Sequence, residues 1–422
     1  MPHDVTYDGG GYRRLNEKTR NAHVSTLFGT IVLRRYGYRY WQRDIPEKTI
    51  FPLEIQLGLV GGATPALAEA AARYMAEAGA TQAAVLARLR REHGVAWGAE
   101  RLRTVTRNIS QAMEEFREQY QVERILELLE QAAESKGRCK PVLAVGRDGI
   151  TLREYRYRFF EVATAATVTV YDRRGRRLGT VYLAFSPELG QQQMTEQLGA
   201  LVESVLSRWQ GRLPRLCYVT DAGDSETKFY RTVLKPMRHP RTGQRLDWHR
   251  IVDYFHASER IWTMADALFG SEKKNQVRAR SWARRMCRLL KRPNGPSRVL
   301  HSAAAIRGRL KHLPKTRNQN FWRAYNYIRI RTKFMQYHDF KACHLPIASG
   351  VTEAACKTIF TQRLKSSGMR WSKAGAQAIL TLRVILLSNI WDEVYHAILD
   401  SHKLAKLETY APKAEHSAQI AV

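Results

Sequence analysis

The chain has 422 residues, enough for two or three domains with real buried cores. Hydrophobic residues make up 44% and aromatics 10%, which excludes a largely disordered chain. Lys and Arg number 69 against 39 Asp and Glu, a formal charge of +30 with a pI near 10.2; the excess points to a polyanionic partner, nucleic acid foremost, without naming a reaction.

The five cysteines (Cys139, Cys217, Cys287, Cys343, Cys356) include no CxxC pair. Neither a zinc ribbon nor a disulfide framework is therefore expected, which suits a reducing compartment. The opening MPHDVTYDGG lacks a leader-like apolar stretch. The most apolar segment, AILTLRVILLSNIW, is cut by Arg383 and too short to span a bilayer, so it reads as a buried helix. The expectation is a cytoplasmic, nucleoid-associated protein with no membrane partner.

Residues 1–60 form a strand-containing segment. Within it TLFGTIVLRRYGYRYW is β-branched and aromatic and reads as a strand pair, with Arg34, Arg35, Arg39 and Arg43 interleaved among tyrosines. Residues 61–138 turn Ala-, Arg- and Glu-rich with apolar positions at helical spacing. There TQAAVLARLRREHGVAWGAERLRTVTRNI predicts two short helices joined at Gly94, the pattern of a helix-turn-helix. Arg101, Arg103 and Arg107 are its candidate DNA contacts, while an ordinary helical hairpin with solvated arginines fits the same residues.

In residues 139–255, PVLAVGRDG is a short buried strand ending in a polar turn. EVATAATVTVYDRRGRRLGTVYLAF is a hairpin around DRRG. LGQQQMTEQLGALVESVLSRW is an amphipathic helix, and RLCYVTDAGD a second buried strand ending in an acid. This order predicts an α/β core with a mixed sheet. Over residues 256–344 strand signals vanish. Between Lys273 and His338 there is no Asp or Glu, while cations recur, Arg278, Arg284, Arg285 and Arg288 among them. That asymmetry predicts phosphate binding. The interleaved Trp282, Phe321, Trp322, Tyr325, Tyr327 and Tyr337 either stack on bases or fill a small helical core. In residues 345–401, TEAACKTIFTQRLK and a long helix over 373–401 close the fold; 402–422 read as a tail.

Three acids stand out by position. Asp148 ends the VLAV strand, Asp221 ends LCYVT, and Glu353 opens a helix after LPIASGVT. Acids at strand ends lie on a sheet rim, where α/β folds build sites. Together the three carboxylates suit two Mg²⁺ ions, which take hard oxygen ligands and leave positions open for phosphate oxygens. Taken singly, a turn aspartate, a helix cap and an i,i+4 surface pair with Lys357 explain them equally well. A carboxylate cluster of this kind predicts that one acid stays protonated without metal. Lys357, Arg363, Lys365 and Arg370, with no acid from Ala354 to Ala374, suggest a phosphate-facing surface, or merely solvated helix charge. Trp371 reads as core.

GRDGI, VTDAGD, IVDYFHASERIW and, above all, IASGVTEAACKTIFTQRLKSSGMRWS resemble bacterial insertion-sequence transposases of the ISKra type, within the Mutator-like DDE group. The resemblance spans roughly residues 140–390. It implies an α/β ribonuclease H-like core interrupted by an all-helical insertion domain, preceded by a mostly helical DNA-binding region. It implies that Asp148, Asp221 and Glu353 are the catalytic acids and hold two Mg²⁺, with Mn²⁺ able to substitute. Asp253 and His256 match the family's DxxH element; they position the site or the cleaved strand, or His256 is simply a satisfied structural histidine. Many relatives carry a cysteine pair after the N-terminal strand; RYGYRYWQRDIPEKTIFPLE has none, so no zinc is expected. The implied activity is binding to the element's terminal inverted repeats, hydrolysis at its ends and strand transfer, with double-stranded DNA as partner and a homodimer or higher oligomer formed on it. A ribonuclease H-like nuclease that cuts without joining, and a non-catalytic nucleic-acid-binding regulator, are the rival readings.

Overall fold

The computed structural model describes residues 2–15, 18–40, 49–153, 160–270, 273–310, 312–365, 369–403 and 408–409. Arg43 and the tail beyond residue 409 lie outside these. The chain forms two compact units, residues 1–117 with 391–422, and residues 118–390.

The first unit opens with β1 (Asp4–Tyr7), β2 (Gly10–Arg14), β3 (Arg20–Thr26), β4 (Gly29–Arg35) and β5 (Tyr38–Tyr40). The predicted strand pair exists as β4 and β5, but the two are not partners: β4 pairs with β3, and β5 with β2. The two-residue turn Leu27–Phe28, closed by Thr26 Oγ1 donating to Gly29 O, fixes β3 as the neighbour of β4. Helices α1 (Pro52–Gln56), α2 (Pro65–Ala76), α3 (Gln82–His93) and α4 (Ala99–Glu134) follow. Thr81 caps α3, and Gly94 ends it in the left-handed conformation. The second helix of the expected pair is not short. No Gly or Pro interrupts Ala99–Glu134, so α4 runs for 36 residues.

The second unit centres, among the described residues, on a five-stranded mixed sheet. It comprises β6 (Val142–Arg153), β7 (Phe160–Tyr171), β8 (Arg177–Phe185), β9 (Arg215–Thr220) and β10 (Trp248–Val252), in the order β10-β9-β6-β7-β8. The first three form an antiparallel meander; β9 runs parallel to β6, and β10 parallel to β9. Strand β10, WHRIV, escaped sequence reading because His249 and Arg250 hide its alternation. One face of the sheet packs on α5 (Gln192–Arg208) and on Val122–Ala132 of α4.

The opposite face, bearing Val142, Ala144, Cys217 and Val219, packs on an all-helical region. That region holds α7 (Tyr254–Phe269), α8 (Lys273–Leu290), α9 (Gly295–Arg309), α10 (Lys315–Arg331) and α11 (Tyr337–Ala342), whereas α6 (Asp224–Phe229) packs through Phe229 on the first face. Trp282, Phe321 and Tyr337 are buried there as core, while Trp322 stays 43% exposed. Then come α12 (Gly350–Cys356), a π-helical turn (Lys357–Thr361), α13 (Gln362–Leu364) and α14 (Lys373–Leu387). The helix expected over 373–401 is broken: Asn389 adopts φ +56, and α15 (Trp391–Lys403) belongs to the first unit with β11 (Glu408–Thr409), which extends its sheet beside β1. Arg383 is buried inside α14, its guanidinium donating to Thr358 O. All five cysteines are free thiols. Among the described residues no single helix is long and apolar enough to cross a membrane.

Candidate carboxylate site

Strand pairing brings the first two acids together. β6 and β9 are parallel in the register Val142–Arg215 to Gly146–Val219. Two residues beyond the last pair stand Asp148 and Asp221. Side chains alternate along a strand, so both acids follow the parity of Ala144 and Val219 and extend on the face of the all-helical region. Asp148 does not end its strand: β6 continues to Arg153, and Asp148 pairs with Ala165 of β7. The β7 ladder overrides the Asp-Gly turn signal, and only the β9 side stops there.

The third acid arrives on α12, which packs across β6 and β7. Gly146 makes this possible. A Cβ there would penetrate Thr352 Oγ1 and sit 2.8 Å from Thr167 Oγ1, and those two hydroxyls share a 2.8 Å hydrogen bond. Thr352 and Cys356 lie on one face of the helix at i,i+4. The Cys356 thiol lies beside the Asp148 carboxylate, and burial keeps that thiol well above the ordinary cysteine range. Glu353, next to Thr352, leaves its side chain 43% exposed.

Burial pushes the Asp148 carboxyl up, and the Asp221 and Glu353 carboxylates push further in the same direction, against the opposing Gly149 N–H hydrogen bond and the neighbouring Cys356 thiol. Asp221 is half-buried. Its backbone carbonyl accepts from Tyr327 Oη of α10 at 2.6 Å, and Arg331 donates to Ala222 O at 3.3 Å. The helical region is thereby tied to the site's backbone. A fourth acid, Glu226 on α6, is buried; burial raises its carboxyl, with Asp221 and Asp148 adding to the effect.

Asp253 and His256 form a hydrogen-bonded pair at the start of α7. Asp253 is fully buried and caps α7, accepting from His256 N–H at 2.9 Å. It also accepts from Ser349 N–H and, at 2.8 Å, from Ser349 Oγ. Ser349 Oγ lies 2.9 Å from Glu353 Oε1, so this hydroxyl links the two acids. His256 Nδ1 stands 3.4 Å from Asp253 and 3.9 Å from Glu353. Burial opposes Asp253 ionisation, but the donors from His256 and Ser349 outweigh it and hold the carboxyl at about 2. The hydrogen bond to Asp253 lifts His256 to about 9 against burial, helped by the Asp253 and Asp221 charges. Ligand atoms of Asp253, His256 and Glu353 lie within 4.8 Å of one another. The Asp253 oxygens are already engaged by Ser349 and His256, whereas the Glu353 side chain stays 43% exposed.

The His256 ring should therefore titrate near pH 9 by NMR, and Asp253→Asn should return it to 6.5 or below. Because folding raises the His256 value from 6.5, its stabilisation is complete below 6.5 and fades as pH rises through 9. Because folding lowers Asp253 from 3.8 to about 2, its stabilisation is complete above 3.8 and fades as pH falls through 2. The urea midpoint of wild type minus Asp253→Asn should thus be largest between pH 3.8 and 6.5.

The proposed DNA-facing cations divide. Arg278, Arg284, Arg285 and Arg288 are exposed on α8 within an arc of about 120°, opposite the buried Ala279, Ala283 and Met286. Among the described residues none of the four makes an ion pair. Arg285 and Arg288 line a groove of about 1010 Å³ with Arg292, Arg298 and His301 of the α8–α9 region. Lys357, Lys365 and Arg370 are exposed. Arg363 is a correction: only 1% exposed, it lies 5.0 Å from the centre of the Trp371 ring, and burial lowers its guanidinium to about 10. Arg101 is half-buried; two of its five N–H donors go to Gly61 O and Gly62 O, and it sits 5.0 Å over Trp97, which pins its guanidinium against the first unit's own backbone. Arg103 pairs with Glu100, and Arg107 is exposed.

Sequence reasoning missed Ser349, Cys356, Tyr327 and Glu226. Helical periodicity carried a signal for two of them. Ser349 precedes Glu353 by four residues and Cys356 follows Thr352 by four, which aligns each pair on one face. Comparison with known protein families finds no match for this chain, and none is found among curated proteins.

Proposed function

We propose that the protein is a DNA transposase of the DDE type with a ribonuclease H-like core, as the resemblance implies. The observation that carries this reading is the parallel register bringing Asp148 beside Asp221, with the Glu353 helix seated on Gly146 between them. A meander of three strands extended by two parallel ones, with helices inserted between the second and third acids, agrees with the expected core.

The donor set fits a hard divalent cation. Three carboxylates lie within electrostatic reach of one another: burial raises Asp148 first, and the Asp221 and Glu353 charges add to it. Asp148, Asp221 and Glu353 would hold Mg²⁺ or Mn²⁺, which when bound supplies Lewis acidity at a phosphoryl oxygen and activates the attacking oxygen. The chain's own groups do the positioning. Ser349 and the His256–Asp253 pair fix the Glu353 carboxylate. The His256 cation offers positive charge to a phosphate. The α8 and α9 arginines hold the backbone that leads to the site. Hydrolysis at an element end frees a 3′-hydroxyl, and attack by that hydroxyl on target DNA is the same displacement with a different nucleophile.

The test is joining. A duplex with a pre-cut 3′ end from the gene's own flanking repeat should be covalently joined to plasmid DNA in Mg²⁺. Cutting without joining would favour the nuclease reading, and neither activity the regulator. DNA binding should fall steeply with salt. Removing Arg278, Arg284, Arg285 and Arg288 together should reduce the slope of log K against log salt by roughly three to four. An unchanged slope would move the phosphate contacts off α8.

A further inference from the structure

The first unit carries an apolar feature that its own fold does not use. Phe28, in the β3–β4 turn, is 98% exposed, and Ile31 and Val32 beside it on β4 are 52% and 55% exposed. The turn is not a loose tip. Ser25 N–H donates to Gly62 O, Ser25 O accepts from Thr64 N–H, and Ser25 Oγ accepts from Trp97 Nε1 at 3.0 Å. His93, at the end of α3, reaches Leu27 O at 3.1 Å. Thr26 Oγ1 closes the turn onto Gly29 O and accepts from Phe28 N–H. Phe28 is thus held out into solvent on a braced turn, beside the α3–α4 junction.

The surroundings select the occupant. No acid occurs from Lys18 to Arg43. Arg20 and Arg34 on the hairpin and Arg90 near the end of α3 are exposed, and among the described residues none of the three makes an ion pair. A second copy of a chain with charge +30 would meet these cations with like charge, whereas a polyanion complements them. A projecting aromatic ring on a braced turn of a cationic hairpin is the chemistry by which proteins unstack a base step from the minor groove; Arg90 precedes His93 by three residues on α3, while Arg20 and Arg34 stand at the far end of the hairpin, roughly 20 Å along the strands from the turn.

We propose that Phe28 is a DNA wedge: its ring enters the minor groove and partly unstacks one base step, while Arg90 holds a nearby phosphate and Arg20 and Arg34 hold phosphates farther along the duplex. The inference rests on the DNA-binding reading above. It adds a mode of contact, bending, that the α3–α4 module and the α8 groove do not supply. Flexible pyrimidine–purine steps would be the preferred sites.

The full chain is mixed with a duplex of roughly 30 base pairs carrying 2-aminopurine at a central TA step and a dye pair at its ends. Wild type should raise the 2-aminopurine fluorescence and bend the duplex, by an angle somewhere in the range of about 20–90°. Phe28→Ser should abolish both signals and weaken binding roughly 3- to 10-fold without changing the salt slope. Phe28→Leu should keep most of the bend. Being so exposed, position 28 should tolerate both changes without loss of melting temperature. Three outcomes overturn the wedge. Phe28→Ser bends like wild type; wild type binds with steep salt dependence yet leaves the duplex straight and stacked; or Phe28→Ser only converts a DNA-free dimer to monomer in sedimentation. The second of these leaves the DNA reading standing. Failure of wild type to bind the duplex at all removes that reading too.

Discussion

Asp148→Asn, Asp221→Asn and Glu353→Gln should each lower Mg²⁺-dependent cutting and joining of DNA ends by roughly 10³-fold or more, with DNA binding retained. The reason is geometric. Each acid comes from a different element, and the charges of Asp221 and Glu353 both reach Asp148. Glu226 is buried and Asp253 is fully engaged by His256 and Ser349. Pairs of these changes should be little worse than single ones, because groups acting as a unit are not additive. Stability should move the other way for Asp148. Its carboxyl is raised in the fold by burial and by Asp221 and Glu353, so its ionised form opposes folding above pH 3.8. Asp148→Asn should therefore melt at the wild-type temperature or above it at neutral pH, a trade common at functional sites. A variant retaining full cutting would remove that acid from the site; a collapse in melting temperature would turn the loss of activity into an unfolding effect.

How much of this could be read beforehand follows from the range of each interaction. The β7–β8 hairpin was legible because DRRG turn chemistry and β-branched runs are local. The three acids were legible as positions, and that strand-end and helix carboxylates can share a site was an expectation from those positions before the resemblance added to it. The register that aligns Asp148 with Asp221 is a long-range pairing across 73 positions, which no local pattern encodes. The fates of Arg101 and Arg363 were opaque for the same reason. Both look like surface cations along the chain, yet one is pinned to the Gly61 and Gly62 carbonyls and the other is buried against Trp371. Charge counting reports the composition of a surface, while a single guanidinium is placed by neighbours remote in sequence. The α8 cations are exposed because apolar residues at helical spacing fix which face is buried; the phosphate binding expected of them is a separate matter of ligand. Phe28 was invisible for the opposite reason: an aromatic residue in a β-branched run reads as core, and only the turn geometry turns it outward.

Gly146→Ala should separate placement of the acids from their presence. The added methyl would collide with Thr352 Oγ1 and crowd Thr167 Oγ1, two hydroxyls already in contact at 2.8 Å. The sheet cannot yield easily: Gly146 lies between β9 and β7, paired with Val219 on one side and Thr167 on the other. The helix α12 must give instead, carrying Glu353 and Cys356 away from Asp148. Overpacking of this kind costs about 1–3 kcal/mol, and a shift of order 1 Å in a positioned group costs roughly 10²-fold in rate. Gly146→Ala should therefore keep all three acids, the fold and the α8 arginines, bind DNA with the wild-type salt slope, and still cut slowly. Thr352→Ala gives the control, since removing its hydroxyl opens the space the methyl needs. Alone it should lose only the hydrogen bond to Thr167, about 1 kcal/mol. Combined with Gly146→Ala it should recover rate and stability together, a favourable coupling in the double-mutant cycle. If Gly146→Ala cuts at the wild-type rate, the seat of α12 on β6 does not set the position of Glu353, and another contact must place that carboxylate beside the two aspartates.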